Sequence, residues 1–248
     1  MIHIPPPTTR HAGAPDVRAR ALFRWQARTL TTTALTGQDG ALVRAASGTA
    51  VDSAGATYTA VHSMPRWESR TFGDGARVGL RLGADDLAWP VSLSPRTATV
   101  VLELSEAGTR TTAGAGLFYL GNDAITGARW LIDSTGTNYR ATVHNGTTSA
   151  SVTLASALPT TGQATRLTMQ VTDDGTNWQV RLVSDVVRGA GEEDTGWSST
   201  IARAATFGAT TQLRLNRLGS AGTQGSTWVA QCALVAGLRD AVDVLEDC

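Results

Sequence analysis

From about Arg77 to the C-terminus, short β-prone segments alternate with turns rich in glycine, asparagine and aspartate. The segments recur about every 8 to 12 residues, which is the spacing typical of β-sandwiches and jelly rolls. We predict strands at 77–82, 86–93, 97–105, 115–120, 128–133, 137–144, 147–154, 164–173, 176–184, 210–217 and 226–236. Strands of this kind bury one face each, so they predict two antiparallel sheets around one core.

Two hairpins stand out within this region. Asn145-Gly146 is a dipeptide that accepts positive φ at both central turn positions, and alternating apolar residues flank it. With Thr147 it also spells a glycosylation sequon, which we interpret as turn chemistry. A second hairpin pairs the segments on either side of 173–177. Separately, the strand patterns around Trp130, Trp178 and Trp228 predict that these side chains lie in the core.

Composition limits the class of protein and its partners. The chain of 248 residues is 42% hydrophobic, enough for one sandwich of ~200 residues with an N-terminal arm. Acidic and basic residues balance at 21 each without a basic block, so no nucleic-acid partner is expected. No apolar run approaches the ~18 residues of a membrane span and the start does not resemble a signal peptide, so we expect neither membrane insertion nor export.

The N-terminal part divides into two predicted segments. Residues 1–28 contain Pro5-Pro6-Pro7 and read as an extended arm, because such a composition favours backbone that packs poorly on itself. Within the arm lie aromatic and arginine residues that we predict to dock on an assembly partner: Phe23, Arg24, Trp25 and Arg28. Packing of these residues on their own domain is the alternative. Residues 29–76 then form a hairpin-rich connector, and we expect the following domain to fold without residues 1–28.

The C-terminal part ends the predicted domain, which covers 77–248. Leu238, Ala241, Val242 and Leu245 follow helical spacing, so a short amphipathic helix is expected after the last strand. A disulfide between Cys232 and Cys248 is one possibility, and a buried thiol with a free terminal cysteine is the other.

One segment carries a family resemblance. Arg44 to Glu68 reads RAASGTAVDSAGATYTAVHSMPRWE, a hairpin centred on Asp52-Ser53-Ala54-Gly55 that ends at Met64-Pro65. It resembles the segment found in many phage tail and fibre proteins just ahead of a concanavalin A-like, or laminin G-like, jelly roll. The resemblance implies an all-β, two-sheet jelly-roll sandwich in a virion structural protein, assembled in the host cytoplasm.

Catalytic patterns are weak. A jelly-roll glycosidase needs two carboxylates on one face of a strand, flanking one glycosidic bond. Glu103 and Glu106 are the nearest pair, and a spacing of three puts them on opposite faces. The four histidines are scattered and do not suggest zinc. We therefore expect a protein that is not an enzyme.

Two polar clusters are candidates for binding. Trp197 beside the acidic loop residues Glu192, Glu193 and Asp194 is a possible glycan contact, against the alternative of a solvated loop anchored by the indole. Asp173, Asp174 and Asn177 could hold calcium, as laminin G-like domains often do at one edge, although their spacing is also that of a β-turn. No other cofactor is expected.

The resemblance implies a phage virion protein, a minor tail, tail-tip or fibre component, and the missing catalytic patterns favour a non-enzymatic one. We expect it to contact other virion proteins, to form a homo-oligomer and to meet host-surface glycan. The alternatives are a capsid decoration or head-spike protein and a lectin-like adhesion module.

Overall fold

The computed structural model describes residues 21–26, 41–42, 49–51, 57–59, 66–72, 75–81, 87–91, 93, 95–106, 113–122, 124–158, 164–186, 192–204, 207, 211–216, 218 and 227–240. Every regular element in these ranges is a β-strand. The strands are β1 (Ala21–Gln26), β2 (Ala41–Leu42), β3 (Thr49–Val51), β4 (Thr57–Thr59), β5 (Arg66–Phe72), β6 (Gly75–Arg81), β7 (Leu87–Pro90), β8 (Ala98–Glu106), β9 (Ala115–Asn122), β10 (Ala128–Ser134), β11 (Tyr139–Asn145), β12 (Ser149–Thr153), β13 (Ala164–Asp173), β14 (Asn177–Val186), β15 (Glu192–Asp194), β16 (Ile201–Ala202), β17 (Thr211–Leu215) and β18 (Thr227–Ala236). In these described ranges, the model contains no helix that is long and apolar enough to span a bilayer.

The strands form two antiparallel sheets. The larger sheet has 12 strands and runs β15-β14-β13-β8-β18-β1-β3-β4, with β16 beside β14 and with β6, β5 and β2 branching from β18. The smaller sheet has six strands in the order β12-β11-β10-β9-β17-β7. The predicted all-β, two-sheet antiparallel sandwich is confirmed. Strands from all three predicted segments join the larger sheet, while the boundaries at 28 and 76 stay predictions.

Side-chain alternation builds the core between the sheets. The larger sheet contributes Val100, Leu102 and Leu104 from β8, and the smaller sheet contributes Trp130 and Ile132 from β10, all fully or almost fully buried. Removing each such side chain from water stabilises the fold by roughly 1.5–3 kcal/mol. The intervening residues of each strand point to the outer faces.

An aromatic cluster joins the two sheets. Trp130 of β10 and Trp178 of β14 meet edge to face with ring centroids 5.8 Å apart, and Phe207 lies 5.3 Å from the first and 5.7 Å from the second. Contacts of this geometry add about 0.5–1.5 kcal/mol beyond area burial. The core positions predicted for both tryptophans are correct, and the side chain of Trp228 lies outside the described residues.

Three hairpins of the domain use the same turn. In each, the two central residues are Gly-Thr, and the glycines Gly136, Gly146 and Gly175 have φ of 100°, 104° and 95°. Each turn is closed by a backbone hydrogen bond between its first and last residues, as in Asn145 N to Thr148 O at 3.0 Å. Glycine at the first central position suits a type II′ turn, which matches the twist of paired strands. The turn predicted with Asn145-Gly146 at its centre is therefore displaced by one residue.

Strand β1 lies inside the segment predicted to be an arm. It pairs with the last strand, β18, where Phe23 lies opposite Leu234. The Phe23 side chain is fully buried, and its ring centroid is 5.1 Å from that of Trp89 at an interplanar angle of 69°. Residues 21–26 thus pair with the domain, and these contacts support the alternative in which Phe23 packs on its own domain. Arg28 and the side chains of Arg24 and Trp25 lie outside the described residues, so their assembly role stays a prediction.

The described residues include only part of the C-terminal region for which a helix and a disulfide are considered. Residues 237–240 are irregular and lie against the outer face of the larger sheet, where Arg239 N donates to Thr99 Oγ1 at 2.9 Å. The predicted helix falls largely on 241–248, which lies outside the described residues together with Cys248. Cys232 is a buried free thiol whose pKa is raised by burial.

Candidate binding face on the smaller sheet

The outer face of the smaller sheet carries three rows of cross-strand neighbours. The strand registers give the first row as Gln212, Gly121, Arg129, His144 and Ser149. The second row is Arg214, Tyr119, Leu131, Thr142 and Ser151, and the third is Asp133, Arg140 and Thr153. Neighbours in a row have Cβ atoms about 4.5–5.5 Å apart, so their polar groups can reach one ligand.

Burial falls steadily across these rows. Tyr119 and Arg214, on the β9 and β17 side, are 0% and 2% exposed. Arg129, Arg140 and His144 in the middle are half-buried, whereas Ser149, Ser151 and Thr153 on β12 are exposed. We call the outer residues of β10, β11 and β12 the β10–β12 face. This face is exposed along β12, whereas Leu131, Asp133 and Thr142 within it are buried. It stands on paired strands, which hold polar groups more precisely than loops do.

A charged pair fixes one side of the β10–β12 face. Arg140 donates from Nε to Asp133 Oδ1 at 2.9 Å and from Nη2 to Asp133 Oδ2 at 2.5 Å. The Asp133 side chain is 2% exposed, so its charge is compensated by the guanidinium instead of by water. The hydrogen bonds from Arg140 to Asp133 raise the pKa of Arg140. The guanidinium of Arg140 is therefore engaged in its ion pair with Asp133.

A glycine lets an aromatic ring lie along β9. A Cβ placed on Gly121 would lie 2.6 Å from Tyr119 Oη and 2.7 Å from Arg129 Cβ, closer than real Cβ atoms approach. The Tyr119 hydroxyl donates to Asn122 O at 2.6 Å. Because Gly121 has no side chain, the phenol ring of Tyr119 can occupy the space above it and lie beside Arg129.

Arg129 and His144 are cross-strand partners at the exposed end of the first row. Burial lowers the pKa of Arg129, with an opposing contribution from Tyr119, and burial together with the Arg129 charge lowers the pKa of His144. Gly146 N donates to His144 Nδ1 at 2.8 Å, which requires an unprotonated Nδ1. A neutral His144 therefore carries its proton on Nε2, where it can donate to a ligand.

The loop beside this pair is anchored to the other sheet. Asn145 accepts from Thr147 N and Thr148 N through Oδ1 at 2.9 and 2.8 Å, and its Nδ2 donates to Ala202 O at 2.8 Å. The amide nitrogen of the sequon is therefore engaged in a structural contact. This agrees with the interpretation of Asn145 as a turn residue.

The acidic residues predicted to bind ligand lie on β15, the edge strand of the larger sheet, next to the residues that follow β12. Glu193 accepts from Ala155 N and from Ser156 N. Burial raises the pKa of Glu193, but hydrogen bonds from the Ser156 side chain and from these two backbone groups outweigh that effect and lower it. Asp194 pairs with Arg181 through two hydrogen bonds. Glu192 is exposed at the start of β15, where it pairs with Asp185 of β14 in the strand register. The structure thus gives Glu193 and Asp194 structural partners.

Trp197 follows this strand and is 40% exposed, the largest exposed aromatic side chain among the described residues. It lies between Gly196, with φ of 68°, and the buried Ser198, whose N donates to Val180 O at 2.8 Å. The backbone on both sides is therefore held while the indole is open. A glycan contact at Trp197 stays a prediction.

The residues predicted to bind calcium build a turn. Asp174 Oδ1 accepts from Thr176 N and Asn177 N at 2.8 and 2.7 Å, and these bonds, the one from Asn177 first, lower the Asp174 pKa. Asp173 accepts from Gly175 N at 2.8 Å and pairs with an arginine of the 201–204 segment. Among the residues that the structure describes, no three His, Cys, Asp or Glu side chains cluster as metal ligands. Calcium binding here stays a prediction.

Glu103, a member of the carboxylate pair considered for catalysis, is 4% exposed on the outer face of the larger sheet. Gln231 Nε2 donates to its Oε2 at 2.7 Å. The side chain of Glu106 lies outside the described residues, so the placement of this pair on opposite faces stays a prediction.

Comparison with known proteins places the fold. No protein-family model matches the chain, and no curated protein matches it. Among solved structures, the botulinum neurotoxin type G receptor-binding domain aligns with a TM-score of 0.55 at 10% identity, covering 92% of this chain and 50% of that one. The binding domain of botulinum neurotoxin DC in complex with SialylT aligns with a TM-score of 0.54 at 8% identity and the same coverage. The chain thus spans about half the length of these structures.

A phage protein is also among the structural neighbours. Full-length tailspike protein 2 from an Escherichia coli O157:H7 bacteriophage aligns with a TM-score of 0.48 at 15% identity, covering 73% of this chain and 26% of the tailspike. The sheet topology and the two neurotoxin alignments define the fold class of this chain. It is an antiparallel two-sheet jelly-roll sandwich.

Proposed function

We propose that this chain is a non-enzymatic structural protein of a phage particle whose jelly roll binds host-surface glycan through the β10–β12 face. The observation that carries the binding role is the face itself. Hydroxyl, imidazole and guanidinium groups of Ser149, His144 and Arg129 stand side by side on one row of a rigid sheet. Sugars are recognised by such arrays of donors and acceptors, and the two neurotoxin neighbours named above are themselves described as binding domains.

The virion role is supported by the resemblance of segment 44–68 to the connector of phage tail and fibre proteins. A tail, tail-tip or fibre position is proposed on that basis, in a homo-oligomer assembled in the host cytoplasm with other virion proteins. Many copies on one particle would raise a weak affinity for glycan by avidity. A capsid decoration or head-spike position is the alternative, and imaging of particles that carry a label on this protein distinguishes head from tail.

The absence of catalysis is proposed from the carboxylates. Glu103 is buried and accepts from Gln231, and its sequence spacing of three from Glu106 predicts opposite faces of a strand, so this pair is unsuited to flank a glycosidic bond. Purified protein should therefore release no reducing ends from host envelope glycans over hours. Turnover that disappears in Glu103→Gln would contradict this part of the proposal.

The binding role is tested by blocking the face. Ser151 is exposed on the second row, where its hydroxyl lies 2.8 Å from Thr142 Oγ1, so Ser151→Trp would place an indole over the face. Binding to purified host envelope glycan, measured by biolayer interferometry, should be lost in Ser151→Trp. It should persist in the matched control Ser199→Trp, since Ser199 is exposed beyond β15 at the edge of the larger sheet.

A second variant separates this face from the other candidate. Trp197→Ala removes the exposed indole near β15 and leaves the β10–β12 face intact. If binding is lost in Trp197→Ala and kept in Ser151→Trp, the glycan site lies at the edge of the larger sheet and the proposed face is wrong.

A further inference from the structure

Carboxylate partners distinguish Arg129 from four other arginines among the described residues. Arg140, Arg166, Arg181 and Arg203 each have an aspartate oxygen within 3.5 Å. Arg129 has no such carboxylate among the described residues, and its one hydrogen bond runs from Nη1 to Gly127 O at 3.0 Å. A guanidinium has five N–H donors in a planar fork, so most of the donors of Arg129 remain available.

The charge around Arg129 is one-sided. The three rows of the outer face contain three arginines and one aspartate, although the whole chain has a net charge of zero. The single aspartate, Asp133, is already neutralised by Arg140. Among the residues that the structure describes, Arg129 is therefore a half-buried cation whose face holds no carboxylate apart from that of Asp133.

The neighbours of Arg129 add donors of the matching kind. His144, opposite it on β11, accepts from Gly146 N through Nδ1 and so presents Nε2–H. Ser149, opposite His144 on β12, adds an exposed hydroxyl. Charge-assisted hydrogen bonds from a guanidinium to an oxyanion are about twice as strong as neutral ones, and a partly desolvated site strengthens them further.

We propose that the glycan bound by the β10–β12 face is acidic, and that Arg129 and His144 hold its carboxylate or phosphate group while Ser149 and Ser151 contact sugar hydroxyls. This inference rests on the proposed function, because it names the ligand class of the same face. Charge complementarity selects the occupant. An oxyanion would supply the partner that Arg129 lacks, and a neutral sugar would leave that charge uncompensated.

The test measures binding of the full chain to three probes: hexagalacturonate, poly(glycerol phosphate) and neutral maltohexaose. Arg129→Gln removes the charge and keeps a donor, while Arg96→Gln removes one charge from an exposed arginine outside the face. We expect wild-type protein to bind an acidic probe, with affinity reduced about tenfold or more in Arg129→Gln and unchanged in Arg96→Gln. Equal melting temperatures of the two variants exclude a folding effect.

The outcomes separate the two proposals. Binding to hexagalacturonate alone identifies a carboxylate, and binding to poly(glycerol phosphate) alone identifies a phosphate at the same site. If maltohexaose binds as well as the acidic probes and Ser151→Trp abolishes that binding, glycan binding stands and the acidic inference is overturned. If Arg96→Gln weakens binding as much as Arg129→Gln, general surface charge accounts for the effect and the inference also fails. Protein that binds neither these probes nor host envelope glycan overturns both proposals.

Discussion

Replacement of Phe23 by alanine tests whether β1 belongs to the folded domain. The side chain is fully buried, packs edge to face on Trp89 and stands on a strand that pairs with β18. Truncating a buried phenylalanine to alanine costs about 3–5 kcal/mol, from lost transfer free energy and from the cavity left behind. For a domain of this size, each kcal/mol shifts the melting temperature by roughly 2–4 °C. Phe23→Ala should therefore lower the melting temperature by roughly 6–20 °C.

The measurement is thermal unfolding by circular dichroism, with urea unfolding as an independent estimate of the free energy. Phe23→Leu is the matched control, because it keeps an apolar side chain of nearly the same volume and should lose about 1 kcal/mol. Trp197→Ala removes a larger ring from an exposed position and should shift the melting temperature little. A Phe23→Ala protein that melts within about 1 °C of the wild type would refute the reasoning and return β1 to the role of a detachable arm.

The same structure changes the expected result of truncation. Composition predicts that deleting residues 1–28 leaves the domain intact. In the structure, this deletion removes β1 and leaves the edge of β18 that pairs with it without a partner. The truncated chain should therefore unfold at a lower temperature than Phe23→Ala. If that deletion leaves the melting temperature unchanged, the pairing of β1 with β18 contributes nothing to stability.

Two further predictions concern the faces of the sheets. Gly121→Ala should cost about 1–3 kcal/mol, because the new Cβ would meet the end of the Tyr119 ring, and Tyr119→Leu should recover part of the loss; a neutral Gly121→Ala in urea unfolding would contradict the packing. The pKa of Asp194 is lowered chiefly by hydrogen bonds from Arg181, so its stabilisation is present above the unfolded pKa of about 3.9 and is lost as the pH falls through the folded value. Because the pair is partly exposed, the free energy of unfolding of the wild type should exceed that of Asp194→Asn by less than about 1 kcal/mol at pH 7, and the two should be equal near pH 2. A difference that grows on acidification would contradict the assignment.

Sequence patterning predicts the sandwich well because core-facing and outward-facing residues alternate along the strands of the domain. This alternation is local, so it is visible in the sequence of the strand itself. In segment 164–173, Leu167, Met169 and Val171 alternate with polar residues, and the strand has those bounds. Sequence patterning does not predict β1 as a strand of the domain, because Arg24 interrupts its apolar residues and a proline-rich segment precedes it. Its partner, β18, lies some 200 positions further along the chain, and a pairing across that distance leaves no local signal.

The β10–β12 face shows why a site on a sheet is harder to predict than the sheet. Arg129, His144 and Ser149 are adjacent only because two hairpins have particular registers. The turn at Asn145 is displaced by one residue from its predicted position, which changes the partner of each residue on β12 by two places. A displacement by two keeps every side chain on its own face, so the buried and exposed sets predicted from alternation remain correct. It nevertheless exchanges one cross-strand neighbour for another, and the juxtaposition of an unpaired arginine, a neutral histidine and a serine depends on that exchange.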